Sequence, residues 1–174
     1  MPITADASAV VNFDREAVGG RLDPDAKLRL VTVAGAEITP TAVAGTLATP
    51  LAADLLRTSG FGRRTSPITG QAGELHSGQD FAAACGTAVT AAAAGSVTSA
   101  EWHPYGGGNR VVVDHGNGVE TTYNHLSNMS VAPGDELKRG NVVGFSGTTG
   151  DSTGCHLHFE VLIKGKAVDP LGWL

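Results

Sequence analysis

The sequence lacks the features that mark nucleic-acid-binding, membrane-spanning and disordered proteins. Its 12 Lys and Arg residues are outnumbered by 17 Asp and Glu residues, and they form no cluster larger than Arg63-Arg64 and Lys138-Arg139. A formal net charge of −5 without a basic patch argues against nucleic acid or an anionic membrane as a partner. No apolar run approaches the ~20 residues of a membrane span. With 41% apolar and 17% charged residues, the 174-residue chain is expected to be a small globular protein.

The amino terminus also lacks a recognisable leader. Residues 1–6 contain neither a basic segment nor an apolar core, so they do not predict a signal peptide. Two interpretations stay open: the protein is not exported by that route, or the sequence starts after a leader has been removed. Cysteine is equally scarce, and Cys85 and Cys155 are too few to define a disulfide framework by counting.

What is present changes in character near residue 55. Residues 1–54 contain no motif and only weak alternation, so we interpret them as an N-terminal arm or pro-like segment, with a candidate helix at 51–56. Over residues 55–174, short apolar runs alternate with turn residues. The sequence His-Gly-Asn-Gly at 115–118 separates two strand-like runs and predicts a β-hairpin. This segment is therefore predicted to be a mainly β domain built on a small antiparallel sheet.

All six histidines fall between residues 76 and 158, which motivates a search for a site. His156 and His158 are two residues apart in a predicted strand, so their imidazoles project from the same face. His76 and Asp80 follow one another closely enough to reach one cation. Together, His76, Asp80 and His158 offer three ligands for one Zn²⁺ ion and leave a fourth position for water, as in catalytic zinc sites. The simpler alternative is that His156 and His158 are only two exposed histidines on a sheet surface.

His125 lies at the end of another predicted strand, in the sequence Tyr-Asn-His-Leu at 123–126. It has no metal-binding partner at a useful spacing, so a role beside the metal fits better than ligation. The chain contains no His-Glu-x-x-His helix, which would supply a glutamate as general base. A neutral histidine can do this work, because its ordinary pKa near 6.5 lies close to operating pH.

The order and density of motifs over residues 55–174 resemble those of the lysostaphin/LytM-type zinc endopeptidases of bacterial cell walls. Members of that family often have Pro where this chain has Ala88, a departure that concerns a turn rather than the chemistry. The motifs that carry the resemblance are Gly60-Phe61-Gly62-Arg63, Pro67, Thr69-Gly70, His76-Ser77-Gly78-Gln79-Asp80-Phe81, Gly86-Thr87-Ala88-Val89, Gly95-Ser96-Val97, Gly108-Asn109, His115-Gly116, Tyr123-Asn124-His125-Leu126, Thr149-Gly150, His156-Leu157-His158-Phe159-Glu160 and Asp169-Pro170.

The resemblance implies a fold, a site and a substrate. The implied fold is a small antiparallel β-sheet groove flanked by loops. The resemblance makes His76, Asp80 and His158 the ligands of one zinc ion, and it places His125 and His156 at the catalytic positions. The implied partners are peptide crosslinks or stem peptides of peptidoglycan. All five positions are filled, which favours an active endopeptidase; the alternative is a non-catalytic wall-binding or hydrolase-activating domain of the same fold.

The two cysteines lie close to these positions in the sequence. Cys155 directly precedes His156, and in an extended strand the two side chains point in opposite directions. We therefore predict a Cys85–Cys155 disulfide rather than a thiolate ligand. A disulfide implies an oxidising compartment. We accordingly expect a secreted or cell-wall-associated monomer, with a phage lysin as a further alternative.

Several side chains near the predicted strands are candidates for lining a substrate groove. Trp102, Tyr105, Asn109 and Tyr123 are the residues that we predict there, although a packing role fits the three aromatic residues equally well. His103 and His115 could also line the groove, but we interpret them as loop and hairpin residues with structural hydrogen bonds.

Overall fold

The computed structural model describes residues 46–51 and 56–174. Most of the predicted arm and of the candidate helix at 51–56 lies outside the described residues. In chain order the described strands are β1 (Leu56–Ser59), β2 (Gly62–Thr65), β3 (Ala72–His76), β4 (Gln79–Ala82), β5 (Ala88–Thr90), β6 (Gly95–His103), β7 (Gly108–Asp114), β8 (Val119–Leu126), β9 (Asn128–Met129), β10 (Glu136–Leu137), β11 (Val142–Phe145), β12 (His156–Ile163) and β13 (Lys166–Val168), followed by a short 3-10 helix, Pro170–Gly172.

The described strands form one large sheet and two smaller ones. The large sheet has eight strands in the order β1-β4-β12-β8-β7-β6-β10, with β13 paired to β12. Strands β5, β11 and β9 form a second sheet, and β2 pairs with β3. Each pairing among the described strands is antiparallel. The predicted mainly β, antiparallel fold is thus confirmed. Across the part of the chain that the structure describes, no helix is long and apolar enough to cross a membrane.

The hydrophobic core lies against one face of the central strands β7, β8 and β12. Alternate residues of these strands are fully buried there, including Val111, Val113, Phe159 and Val161. Because successive side chains of a strand point to opposite faces, the residues between them occupy the other face of the sheet. That second face carries the polar side chains of the candidate site.

Tyr123 belongs to the core face, so the prediction that it lines the groove is wrong. Its side chain is fully buried and packs on Phe159, with ring centroids 5.5 Å apart. Its hydroxyl accepts a hydrogen bond from the backbone N–H of Ala92 at 2.8 Å. Burial raises the pKa of Tyr123 to about 12, which keeps the hydroxyl protonated. The packing alternative holds for this residue.

The predicted hairpin at 115–118 joins β7 to β8. Asn117 and Gly118 both have positive φ, 57° and 72°, as tight hairpin turns require. His115 at the start of this turn is completely buried, where its Nδ1 lies 2.9 Å from the Ala94 carbonyl oxygen and its Nε2 lies 2.8 Å from Thr121 Oγ1. It is a structural residue, as interpreted from the sequence.

A disulfide joins Cys85 to Cys155, as predicted. It connects the segment after β4 to the residue that precedes β12, with a Cα–Cα distance of 5.2 Å and a sequence separation of 70. Closing a loop of that size stabilises the fold by about 4 kcal/mol in the chain-entropy model. The crosslink therefore ties together two strands that carry candidate metal ligands.

Candidate active site

Three predicted metal ligands come together on the polar face of the large sheet. Strands β4 and β12 pair so that Asp80 lies directly opposite His158. His76 is the last residue of β3, and the chain between β3 and β4 passes very close to β12. A Cβ atom at Gly78 would collide with the carbonyl oxygen of Phe159, so only glycine permits this approach.

The donor atoms of these three residues converge on one point. His76 Nε2, Asp80 Oδ1 and His158 Nδ1 all lie within 4.8 Å of one another. The individual separations are 3.1 Å from His76 to Asp80, 2.8 Å from His158 to Asp80 and 2.9 Å between the two imidazoles. Zinc bonds of ~2.0–2.1 Å place neighbouring ligand atoms roughly 3–3.5 Å apart. The three donors therefore fit a zinc ion in both chemistry and spacing.

The outer nitrogen of each ligand imidazole is held by an acceptor. His76 Nδ1 donates to the Gly60 carbonyl oxygen at 2.8 Å, and His158 Nε2 donates to Glu160 Oε1 at 3.2 Å. Glu160 is itself held by Ser77, and its Oε2 accepts from Thr122 Oγ1 at 2.6 Å. Such bonds fix the orientation of each ring and leave the inner nitrogen for a metal.

The charges around Asp80 keep this carboxylate ionised. Burial alone would raise the pKa of Asp80, but hydrogen bonds from His158 and His76 outweigh it and hold the pKa far below its usual range. Arg64 adds a contact of 3.2 Å to Asp80 Oδ2 and also lies 3.3 Å from Glu74. For His158, burial lowers the pKa, but bonds to Asp80 and Glu160 outweigh it and raise it to about 9. Metal binding replaces a proton here, so it is expected to release one at neutral pH.

The two predicted catalytic histidines lie next to the ligand cluster. The rings of His125 and His156 are 4.7 Å apart between centroids, and that of His125 is 5.7 Å from that of His158. His156 Nε2 is 3.8 Å from Asp80 Oδ1. The outer nitrogens are again fixed, because His125 Nδ1 donates to the Thr149 carbonyl oxygen at 2.8 Å and His156 Nδ1 to that of Gly154 at 2.7 Å.

His125 occupies an unusual backbone conformation near the end of β8. Its φ is 61°, which is uncommon for a residue with a side chain and marks sites that the surrounding structure holds in place. Its backbone N–H donates to the Gly107 carbonyl oxygen at 2.8 Å. Burial, with smaller effects from His156 and His158, lowers the pKa of His125 to about 4. The imidazole is therefore neutral at pH 7 and able to accept a proton.

A groove of about 360 Å³ contains the five predicted metal and catalytic residues. Two further residues predicted to line it do not. Trp102 is 57% exposed and lies outside the groove, and Asn109 Nδ2 donates to the Leu126 carbonyl oxygen at 3.0 Å, tying β7 to β8. Tyr105, another candidate, does line the groove, and so does His103 at the end of β6.

Sequence reasoning missed the residues that support the site. Glu160 lies two residues after His158 in one strand, and this spacing would have placed it on the same face. Arg64, Ser77 and Thr122 are distant in sequence from the groups that they contact, and no local pattern marks them.

Residues 74–170 match the model of peptidase family M23, which is more than half of the chain. The chain therefore belongs to peptidase family M23. The resemblance to lysostaphin-type peptidases stated from the motifs is confirmed.

Individual relatives match different fractions of the chain. DD-carboxypeptidase/endopeptidase Mpg of Neisseria meningitidis serogroup B is 48% identical over 113 residues, which are 65% of this chain and 26% of that protein. A zinc containing peptidase from Vibrio cholerae superposes with a TM-score of 0.64 and 37% identity, over 75% of this chain and 40% of that one. The catalytic domain of lysostaphin from Staphylococcus simulans superposes with a TM-score of 0.62 and 36% identity, over 68% of this chain and 90% of that one. The chain spans about a quarter of the length of the curated relatives that it matches.

Proposed function

We propose that this chain is a zinc-dependent endopeptidase that hydrolyses peptide crosslinks or stem peptides of bacterial peptidoglycan. The observation that carries the proposal is the convergence of His76 Nε2, Asp80 Oδ1 and His158 Nδ1 within 4.8 Å. Two more imidazoles, His125 and His156, face the same groove. Relatives named as a DD-carboxypeptidase/endopeptidase and as lysostaphin support the substrate class.

In this proposal His76, Asp80 and His158 hold one zinc ion. When bound, zinc supplies Lewis acidity, which lowers the pKa of a coordinated water and polarises the scissile carbonyl. The hydrogen bonds that the two ligand imidazoles donate to Gly60 and Glu160 keep both rings in the required tautomer. The carboxylate of Asp80 contributes one negative charge, which favours a divalent cation over a neutral ligand in this buried position.

His125 and His156 handle the protons. Each has its Nδ1–H committed to a backbone carbonyl, so Nε2 of each ring is the atom available to the reactants. A neutral His125 accepts a hydrogen bond or a proton from the attacking water. Once protonated, an imidazole beside the scissile bond stabilises the developing oxyanion and returns the proton to the leaving amine.

Two measurements test this function together. Zinc content of the purified protein is measured by mass spectrometry, and new amino termini are counted after incubation with purified peptidoglycan. The proposal expects one zinc per chain and new amino termini that a chelator abolishes. The alternative, a wall-binding or hydrolase-activating domain, predicts association with peptidoglycan and no new termini in either condition.

Organisation and location remain parts of the same proposal. Residues 55–174 form the catalytic domain, and residues 1–54 form an arm or pro-like segment. The Cys85–Cys155 disulfide supports action outside the cytoplasm, either secreted or associated with the cell wall.

A further inference from the structure

Arg110 directs a cationic side chain into the groove from strand β7. Its strand neighbour Val111 is fully buried in the core, so Arg110 faces the opposite side of the sheet. The groove lining includes Arg110 together with Asn124 and His158. Asn124 lies directly opposite His158, and β8 separates β7 from β12. These three side chains therefore form a row that ends at the metal ligands.

The guanidinium of Arg110 has no partner among the described residues. Its Nε atom is buried and makes no hydrogen bond there. No carboxylate in the described part of the chain forms an ion pair with it. The contrast is Arg64, the other arginine of the groove, which contacts Asp80, Glu74 and Ser59. A partly buried guanidinium without an acceptor is costly to the protein, and an anionic ligand would satisfy it.

The remaining charges of the groove are mostly paired with one another. Its carboxylates are Glu74, Asp80, Asp151 and Glu160. Asp80 and Glu160 are held by the ligand imidazoles, and Glu74 by Arg64. Arg110 is therefore a cation that the described residues leave free for an anionic group of a ligand, which makes this arginine a determinant of specificity.

The spacing sets how far the anion lies from the reaction. Neighbouring strands are ~4.8 Å apart, so β7 lies roughly 10 Å from β12. An extended arginine side chain is long enough to cover much of this distance. An extended residue spans ~3.5 Å. When the scissile amide of a bound peptide is at the metal site, the anion at Arg110 therefore belongs to a residue within about two positions of that amide.

We propose that Arg110 binds a free carboxylate of the substrate within two residues of the scissile amide; this rests on the proposed function. A crosslink between D-alanine and the side-chain amine of diaminopimelate has such a group, because the carbon that bears the scissile nitrogen also bears a carboxylate. A glycine crossbridge has none at that position. Arg110 thus favours crosslinks of the D-alanyl-diaminopimelate type over glycyl-glycine bonds.

The test measures binding separately from turnover. The probes are two D-alanyl-diaminopimelate peptides in which a ketomethylene group replaces the scissile amide, one with the neighbouring carboxylate free and one with it converted to a carboxamide. Affinities are measured by calorimetry with the full chain. A charge-assisted pair of this kind is expected to make the free carboxylate bind about 10- to 100-fold more tightly.

Three variants identify the residue responsible. Arg110→Gln should reduce the preference to near unity, and Arg110→Lys should retain part of it because the charge remains. Arg57→Gln is the matched control, since Arg57 is exposed on β1 and does not line the groove. Thermal unfolding of each variant checks that the fold is intact, and Arg110→Lys keeps the comparison available if Arg110→Gln is unstable.

The outcomes separate the two proposals. Equal affinity of the unmodified chain for both peptides, no binding of either, or a preference that survives Arg110→Gln would overturn the carboxylate site. Cleavage of peptidoglycan with no dependence on Arg110 would leave the endopeptidase and remove only this site. Carboxylate-dependent binding without new amino termini would support the carboxylate site and contradict the endopeptidase activity.

Discussion

The two faces of strand β12 use neighbouring residues for opposite purposes. Leu157, Phe159 and Val161 are fully buried in the core, while His158 and Glu160 lie between them on the groove side. On the core face any apolar side chain of suitable volume contributes by burial. On the groove face each polar group depends on a particular partner, because a buried polar atom without one is costly. Substitutions on the groove face should therefore affect metal binding and activity, whereas those on the core face should affect stability.

The largest expected effect is the loss of the metal on the groove face. Asp80→Ala removes one of three donors and the negative charge, so zinc content should fall to background and peptidase activity with it. Metal content is measured by mass spectrometry after dialysis. Full zinc occupancy in this variant would contradict the assignment of Asp80.

A smaller loss is expected when the neighbouring imidazoles are removed. His125→Ala and His156→Ala should each retain zinc and lower kcat by about 10²–10⁴-fold, because they remove proton transfer but no metal ligand. Steady-state kinetics and metal analysis of the same preparations provide the two readouts. Unchanged kcat in both variants is incompatible with the proposed roles.

On the core face the effect should appear in stability instead. Phe159→Ala leaves a cavity beside Tyr123 and is expected to lower the free energy of unfolding by about 3–5 kcal/mol. Urea unfolding at one fixed zinc concentration measures it. The folded variant should bind as much zinc per chain as the unmodified chain. A loss of zinc as severe as that expected for Asp80→Ala would contradict the proposed difference between the two faces.

Glu160 tests the support of the groove face without touching its donors. Glu160→Gln keeps the volume but removes the charge that holds His158 Nε2, so zinc affinity should weaken by about 10–100-fold. Competition with a chromophoric chelator gives the affinity. Thr122→Val, which removes a hydroxyl that contacts Glu160, should have a smaller effect in the same direction.

The smallest effect concerns His115, which lies away from the metal ligands. Burial lowers the pKa of His115, so below about pH 6.5 the unfolded chain binds more protons at this residue than the folded one. Its contribution to stability is present above that pH and is lost as the pH falls. The free energy of unfolding should therefore decline more steeply between pH 7.5 and 5 in the unmodified chain than in His115→Gln. The same pH dependence of the free energy of unfolding in both proteins would contradict this role of His115.

Much of the fold was predictable because β-strand patterns are local. The hairpin at 115–118 and the shared face of His156 and His158 follow from turn residues and a period of two. Tyr123 shows the limit of this reasoning. A strand pattern shows that alternate residues share a face, but which face is buried depends on the layers packed against it, so Tyr123 was assigned to the groove although it lies in the core.

The site was predictable to a different extent. The candidate donors at 76, 80 and 158 were predicted from residue type, spacing and a family resemblance. Their supporting contacts were not, because Arg64 and Ser77 act on residues 16 and 83 positions away. Contacts over such separations depend on strand register, which no short sequence pattern contains.

By itself, the sequence determined the antiparallel β character, the turn positions and which chemical groups the chain offers to a metal, since each of these depends on residues close together in the chain. Only the tertiary structure decided that Asp80 lies opposite His158, that Glu160 holds the outer nitrogen of that imidazole, and that Arg110 faces the groove without a partner among the described residues. The physical reason is that these facts depend on how distant strands pair and pack, and pairing is chosen by the core as a whole.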